Sequence, residues 1–238
     1  MSASLLRGLR ILEMIRNEPL GVSEVARRIG VDKAGVSRVL RSLIEEGWVE
    51  RMGRLHVLGP RALLLTADAR TTPLLHRAGA TVRRLREETG HAAVVMQLRP
   101  QGPLPLAIEW SETTPEVQEE AFEHLWATAG GLALLAQLPE EDLDDHLDVD
   151  PWPSRAGGPA SVDEVHALLS QARSGVPLVE RSWNVQGLGC VAVPWRSGHE
   201  DDAVPAPTAV TLLGPETDIL RDHDRLVELL RAVGEDVA

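Results

Sequence analysis

The stretch VSEVARRIGVDKAGVSRVLRSLIEEGWVER, residues 22–51, decides the fold of the first part of this chain. Val25 and Ile29 share one face of a short helix over 23–29, with Ser23 placed as its N-cap. Gly30-Val31-Asp32 makes a three-residue turn, and Gly47 supplies a left-handed stop for a second helix over about 33–46. On that helix, at about 100° per residue, Val36, Leu40 and Leu43 form one apolar stripe. Ala34, Arg38 and Arg41 fall on the opposite side, Ser37 lies at the flank, and Lys33 sits at the start. A small residue among cationic and hydroxyl side chains suits a helix that enters a major groove, where arginine reaches guanine edges or phosphates.

Working outward, Leu5, Leu9 and Leu12, with Leu6, Ile11 and Ile15 alongside, predict a helix over about 4–17, ended by Pro19-Leu20-Gly21. On the other side, Trp48–Arg51 and Leu55–Leu58 read as two strands around Met52-Gly53-Arg54. Two helices joined by a tight turn and followed by a hairpin spell a winged helix-turn-helix over residues 1–61. Arg54 at the wing tip is a further candidate for DNA contact. The start of the 23–29 helix, at Ser23, is a candidate for a backbone phosphate. Arg27 and Arg28 are open between solvent and DNA.

Two helical stretches follow, about 60–70 and 74–89, separated by Thr71-Thr72-Pro73. Pro73 argues against one continuous helix, so residues 62–73 are taken as a linker and 74–238 as a second domain. Beyond it, strands are predicted at 91–98, 104–110, 177–183, 188–195 and 207–213. Helices are predicted at about 129–138, 140–147, 161–174 and 216–233, with loops at Pro151–Pro159 and Ser197–Pro207. This is an α+β domain with a largely antiparallel sheet.

Charge divides along the same line. The net charge is −12, yet residues 1–61 hold 11 Lys/Arg against 7 Asp/Glu, a balance of +4, and residues 62–238 hold 13 against 29, a balance of −16. Charges beyond about 8–10 Å are screened, so a basic head on an acidic body is compatible with phosphate contact. The one cysteine, Cys190, excludes an internal disulfide and fits a reducing cytoplasm, where it is expected to be an inert core residue. Arg7 and Arg10 interrupt the first apolar stretch, so no signal peptide is expected, and no apolar run approaches the ~20 residues of a membrane span. An enzyme finds little support. There is no Gly-x-Ser-x-Gly elbow, phosphate loop or i, i+4 histidine pair, and Gly187-x-Gly189 lacks the third glycine of a dinucleotide site. No cofactor or metal is expected.

The chain resembles the IclR family of bacterial transcriptional regulators over nearly its whole length. In the head the resemblance rests on LLRGLRILEMI (5–15), on 22–51 and on LGPRALLL (58–65). In the body it rests on LREETG (85–90), HLWATAGGLALLAQLPEEDL (124–143) and GLGCVAVPWR (187–196). The resemblance implies a head that binds a pseudo-palindromic operator, a linker helix and a GAF-like effector domain, in a homodimer or tetramer that most often represses. It also implies an effector pocket at Trp126, Ala127, Thr128, Ala129, Gly130 and Gly131, with Glu180, Cys190 and Thr211. Trp126 stands where the family usually has histidine, and Leu132 where it usually has lysine. Both changes disfavour a small dicarboxylate. Either Trp126, Trp183 and Trp195 line a roomier cavity for an aromatic or amphipathic effector, or they fill it and leave a ligand-insensitive regulator. A third possibility is a protein-binding adaptor whose winged helix contacts protein in place of DNA.

Overall fold

The computed structural model describes residues 3–67, 73–100, 102–114, 124–147, 157–195 and 206–235. They fall into two compact units, Met1–Thr72 and Pro73–Ala238.

The first unit runs α1 (Ala3–Asn17), β1 (Leu20–Gly21), α2 (Val22–Ile29), α3 (Lys33–Glu45), β2 (Val49–Met52), β3 (Leu55–Leu58) and α4 (Pro60–Ala67). Ile11, Ile15, Val25, Val36, Leu40 and Val49 are buried together, so each helix contributes the apolar stripe visible in its periodicity. Gly30, at φ 67°, closes α2, and Gly47, at φ 76°, turns the chain beyond α3. The Asp32 side chain caps α3 by accepting from the Gly35 N–H at 2.8 Å. Gly53, at φ 65°, opens the two-residue loop of the β2–β3 hairpin, and Arg51 Nε donates to its carbonyl at 2.8 Å.

Two readings of this region need correction. Leu20–Gly21 is more than a helix stop: it pairs antiparallel with β3, Leu20 opposite His56, and makes a three-stranded sheet in the order β1-β3-β2. Because the chain leaves that pairing directly into α2, Gly21 is the N-cap and makes no side-chain capping bond. Ser23 therefore lies inside the first turn, exposed, and is not the cap.

The start of α4 is fastened to the end of α3. Gly59 N–H donates to Trp48 O at 2.8 Å, and Arg61 N–H to Gly47 O at 3.1 Å. A Cβ on Gly59 would stand 2.4 Å from the Gly47 carbonyl oxygen, so only glycine permits this approach. Arg61 adds a 2.8 Å ion pair to Glu46 and lies 5.0 Å over the Trp48 ring.

The second unit begins with α5 (Pro73–Thr89), β4 (Ala92–Arg99) and β5 (Gly102–Glu109). It continues through α6 (Ala129–Leu135), α7 (Asp144–Leu147), α8 (Val162–Arg173), β6 (Leu178–Arg181), β7 (Leu188–Pro194) and β8 (Thr208–Pro215). It ends with α9 (Glu216–Arg221) and α10 (His223–Glu235). The sheet is antiparallel throughout, in the order β5-β4-β8-β7-β6. Side-chain alternation sends Val94, Met96, Cys190, Ala192 and Leu213 to a face packed with α6, α7 and α8 residues. It sends Val95, Val191, Val193, Val210 and Leu212 to the opposite face, packed with α5, α9 and α10. The three central strands are thus buried on both sides, which is why they read as nearly unbroken apolar runs.

Differences from the expected elements are local. The closing helix is two, α9 and α10, divided at Asp222. The 129–138 helix stops at Leu135, and 140–147 divides into a 3-10 turn, Glu140–Asp142, and α7. The 177–183 strand ends at Arg181, because Ser182 adopts a left-handed φ of 54°. The expected loops at 151–159 and 197–207, and the expected linker at 62–73, lie largely or partly outside the described residues.

Candidate functional site

On α3 the periodicity separates two faces sharply. Gly35, Val36 and Leu40 are buried, while Lys33, Ala34, Arg38 and Arg41 are exposed and Ser37 is half-buried. Arg54 is exposed at the wing tip. These cations differ from those of α2 in lacking ion-pair partners. Among the described residues, Lys33, Arg38, Arg41 and Arg54 make no salt bridge, and Arg38 has only a through-space attraction to Asp32. The neighbouring cations are spent on the protein itself. Arg27 and Arg28 both donate to Glu24, and Arg28 also pairs with Glu18 at 2.7 Å. Those hydrogen bonds hold the Glu24 carboxyl down at about 2, which fits the pairs staying formed over the physiological range. The α2 arginines left open by the sequence are therefore internally neutralised, while α3 and the wing keep cations that no carboxylate among the described residues pairs.

In the second unit, a cavity of about 20 Å³ lies between the start of α6 and the sheet. Of the residues the resemblance implied, Thr128, Gly130, Glu180, Cys190 and Thr211 line it. Asn184, Val185 and Leu188 close one side; Val94, Met96 and Leu213 form the sheet floor. Glu180 and Cys190 are directly paired across β6 and β7. The Glu180 carboxyl accepts from Ala129 N–H at 3.4 Å, from Asn184 Nδ2 at 3.3 Å, and from the Cys190 thiol. Burial raises its pKa against the pull of these donors. Burial, with Glu180 beside it, pushes the Cys190 thiol well above its ordinary range, so it is no reactive thiolate. Thr211 Oγ1 is buried in the same wall without a hydrogen-bond partner.

The remaining residues of the Trp126–Gly131 segment hold the fold. Trp126 is fully buried in the core cluster with α6 and α8, in a 3-10 turn Leu125–Ala127, stacked 5.3 Å from His124. Ala127 O accepts from Asn184 Nδ2. Ala129 contributes its backbone N–H to Glu180. Gly131 packs where a Cβ would meet Leu125 O at 2.1 Å, so the turn can fold back on α6 only over glycine. Thr128 caps α6 by accepting from Gly131 N–H at 2.9 Å.

The tryptophan-lined cavity is therefore corrected. Trp126 and Trp183 are packed into the surrounding core and do not line the cavity. Trp195 lies on the opposite face of the sheet, its Nε1 donating to Val233 O at 3.2 Å. Its parity along β7 could have shown this, since Cys190 and Trp195 are an odd number of residues apart. Met96, Asn184 and Val185 were missed because no local pattern ties them to the Trp126–Gly131 segment.

A winged helix with unpaired cations on its outward helix is the architecture of a DNA-binding domain, and a separate α+β unit of the same chain encloses a small cavity. Residues 4–53 match the model of the IclR helix-turn-helix domain. An IclR transcriptional regulator of Silicibacter sp. TM1040 superposes with a TM-score of 0.73 at 25% identity, over 99% of this chain and 94% of its own. A transcriptional regulator of Rhodococcus sp. RHA1 gives 0.74 at 25% identity, over 100% of this chain and 97% of its own. An IclR homolog of Microbacterium hydrocarbonoxydans, complexed with 4-hydroxybenzoate, gives 0.78 at 20% identity, over 98% and 96%. No curated protein sequence matches the chain. No helix among the described residues is long and apolar enough to cross a membrane.

Proposed function

We propose that this chain is a cytoplasmic repressor, without enzymatic activity, whose grip on a pseudo-palindromic operator is set by a small organic effector. Residues 1–61 bind DNA, 62–73 link, and 74–238 sense the effector and assemble the oligomer. Lys33, Ala34, Ser37, Arg38 and Arg41 face the major groove; Arg54 and the start of α2 at Ser23 approach the backbone. The observation that carries this reading is the contrast between the internally paired Arg27, Arg28 and Arg61 and the unpaired Lys33, Arg38, Arg41 and Arg54. Unpaired cations on an outward helix and wing are available to phosphate oxygens, which position a protein on a duplex. The exposed Leu5, Leu6 and Leu9 of α1 support a homodimer, which would set two heads on half-sites about 34 Å apart.

The effector is held at Thr128, Gly130, Glu180, Cys190 and Thr211, around the cavity beside α6. A bound 4-hydroxybenzoate in one structural relative supports a small organic ligand here. By linkage, the effector and the operator change each other's affinity by the same factor.

Fluorescence anisotropy of the full chain on duplex DNA from its own upstream region tests the reading. Binding should favour that region over unrelated duplex and weaken steeply with salt, with a slope of roughly −0.9 per phosphate contacted. Failure to bind at low salt would favour a protein-binding adaptor and remove the DNA assignment.

A further inference from the structure

The cavity beside Glu180 also narrows what it can hold, and this inference rests on the reading of that cavity as the effector site. Its lining contains no lysine, arginine or histidine among the described residues. The one ionisable oxygen acid in it, Glu180, is 2% exposed and already engages the donors nearest to it: Ala129 N–H, Asn184 Nδ2 and the Cys190 thiol. A ligand carboxylate entering here would lose its water, meet no cation, and lie beside another carboxyl group. Thr211 points the other way. Its Oγ1 is buried and has no hydrogen-bond partner, and it stands 2.7 Å from where a Cβ on Gly130 would be. A hydroxyl both donates and accepts, so it pairs with a neutral oxygen function as readily as with an amide. The other walls, Val94, Met96, Val185, Leu188 and Leu213, are apolar.

At about 20 Å³ the closed cavity has room for roughly one water. Met96 provides the means of opening: its thioether lies 3.2–3.4 Å from the position of a Gly130 Cβ, on a side chain with three rotatable bonds beyond Cα. We infer that this site selects an uncharged, mainly apolar small molecule carrying a hydroxyl or carbonyl that pairs with Thr211 Oγ1, and that it rejects carboxylates.

Calorimetric titration of the full chain with two matched pairs tests this: 4-hydroxybenzyl alcohol against 4-hydroxybenzoate, and hydroxyacetone against pyruvate. In at least one pair the neutral member should bind at least about tenfold more tightly than the acid. Thr211→Val should weaken the neutral ligand by about five- to tenfold. Glu180→Gln should narrow the gap between the two members, and Gly130→Ala, which fills the same space, should abolish binding of both. Tighter or equal binding of the acids, altered by Thr211→Val or Glu180→Gln, would overturn the ligand class and leave the effector site standing. Neutral binding that Thr211→Val leaves unchanged would overturn the pairing and with it the inference. Absence of binding by all four probes, with operator binding intact, would overturn both this inference and the effector site, but not the DNA-binding head.

Discussion

Gly130 and Thr211 oppose each other across the cavity so closely that a Cβ on Gly130 would stand 2.7 Å from the Thr211 hydroxyl oxygen. Next along the helix, a Cβ on Gly131 would meet the Leu125 carbonyl oxygen at 2.1 Å. The two adjacent glycines thus serve different ends. One keeps space beside a movable methionine and a hydroxyl; the other lets two backbone segments touch.

Alanine substitutions separate them. Gly130→Ala can be absorbed in part by Met96 and should cost about 1–3 kcal/mol. Gly131→Ala presses on fixed backbone and should cost more, about 3 kcal/mol or above. Urea unfolding of both variants checks the order; a Gly131→Ala protein as stable as wild type would contradict the contact.

Trp126→Ala should behave as a core truncation, lowering stability by about 3–5 kcal/mol. Its ring is fully buried and is no part of the cavity lining. Thermal unfolding reads the loss. A stable variant with changed ligand preference would return Trp126 to the site.

Asp32→Ala should destabilise the head by about 0.5–2 kcal/mol, since it removes the acceptor of the 2.8 Å bond that caps α3. The cap also holds the Asp32 carboxyl below its ordinary range, chiefly through Gly35 N–H. Its contribution is present above that ordinary value and lost as pH falls through the lowered one. Amide exchange within α3, followed with pH, checks both.

Glu180 has the opposite sign. Burial raises its folded pKa above the ordinary 4.5, so the folded chain holds this proton more tightly than the unfolded chain does. The resulting stability is full below about 4.5 and is lost as pH rises through the raised value. Glu180→Gln should remove this fall. Unfolding midpoints from acid to neutral pH that fall equally in both proteins would place the titration elsewhere.

Arg38→Ala and Arg41→Ala should each lower operator affinity by about 1–3 kcal/mol where the side chain reads a base, and relax preference at that position. A uniform loss on all duplexes, with a shallower salt dependence, would make the residue a phosphate contact. Anisotropy on operator and scrambled DNA distinguishes the two.

The head was legible because its information is local. Val36 and Leu40 face inward and Arg38 and Arg41 outward at the spacing of one helix, and Gly30 and Gly47 mark its turns. Leu20–Gly21 escaped because a two-residue strand has no period of its own; only its partner in β3 defines it. The sheet was legible from apolar runs, but its two-sided burial is a property of the packed layers. In the cavity, Glu180 and Cys190 were found, and the structure pairs them across two strands. Adjacency in sequence misled at Trp126, since a 3-10 turn aims consecutive side chains in unrelated directions. Asn184, Val185 and Met96 come from distant segments and are joined to the site only by folding.

Where Gly59 rests on the carbonyl of Gly47, no side chain lies between the two backbones to yield. A bulkier residue at position 59 would therefore press straight onto the backbone just beyond α3, the helix that carries Arg38 and Arg41.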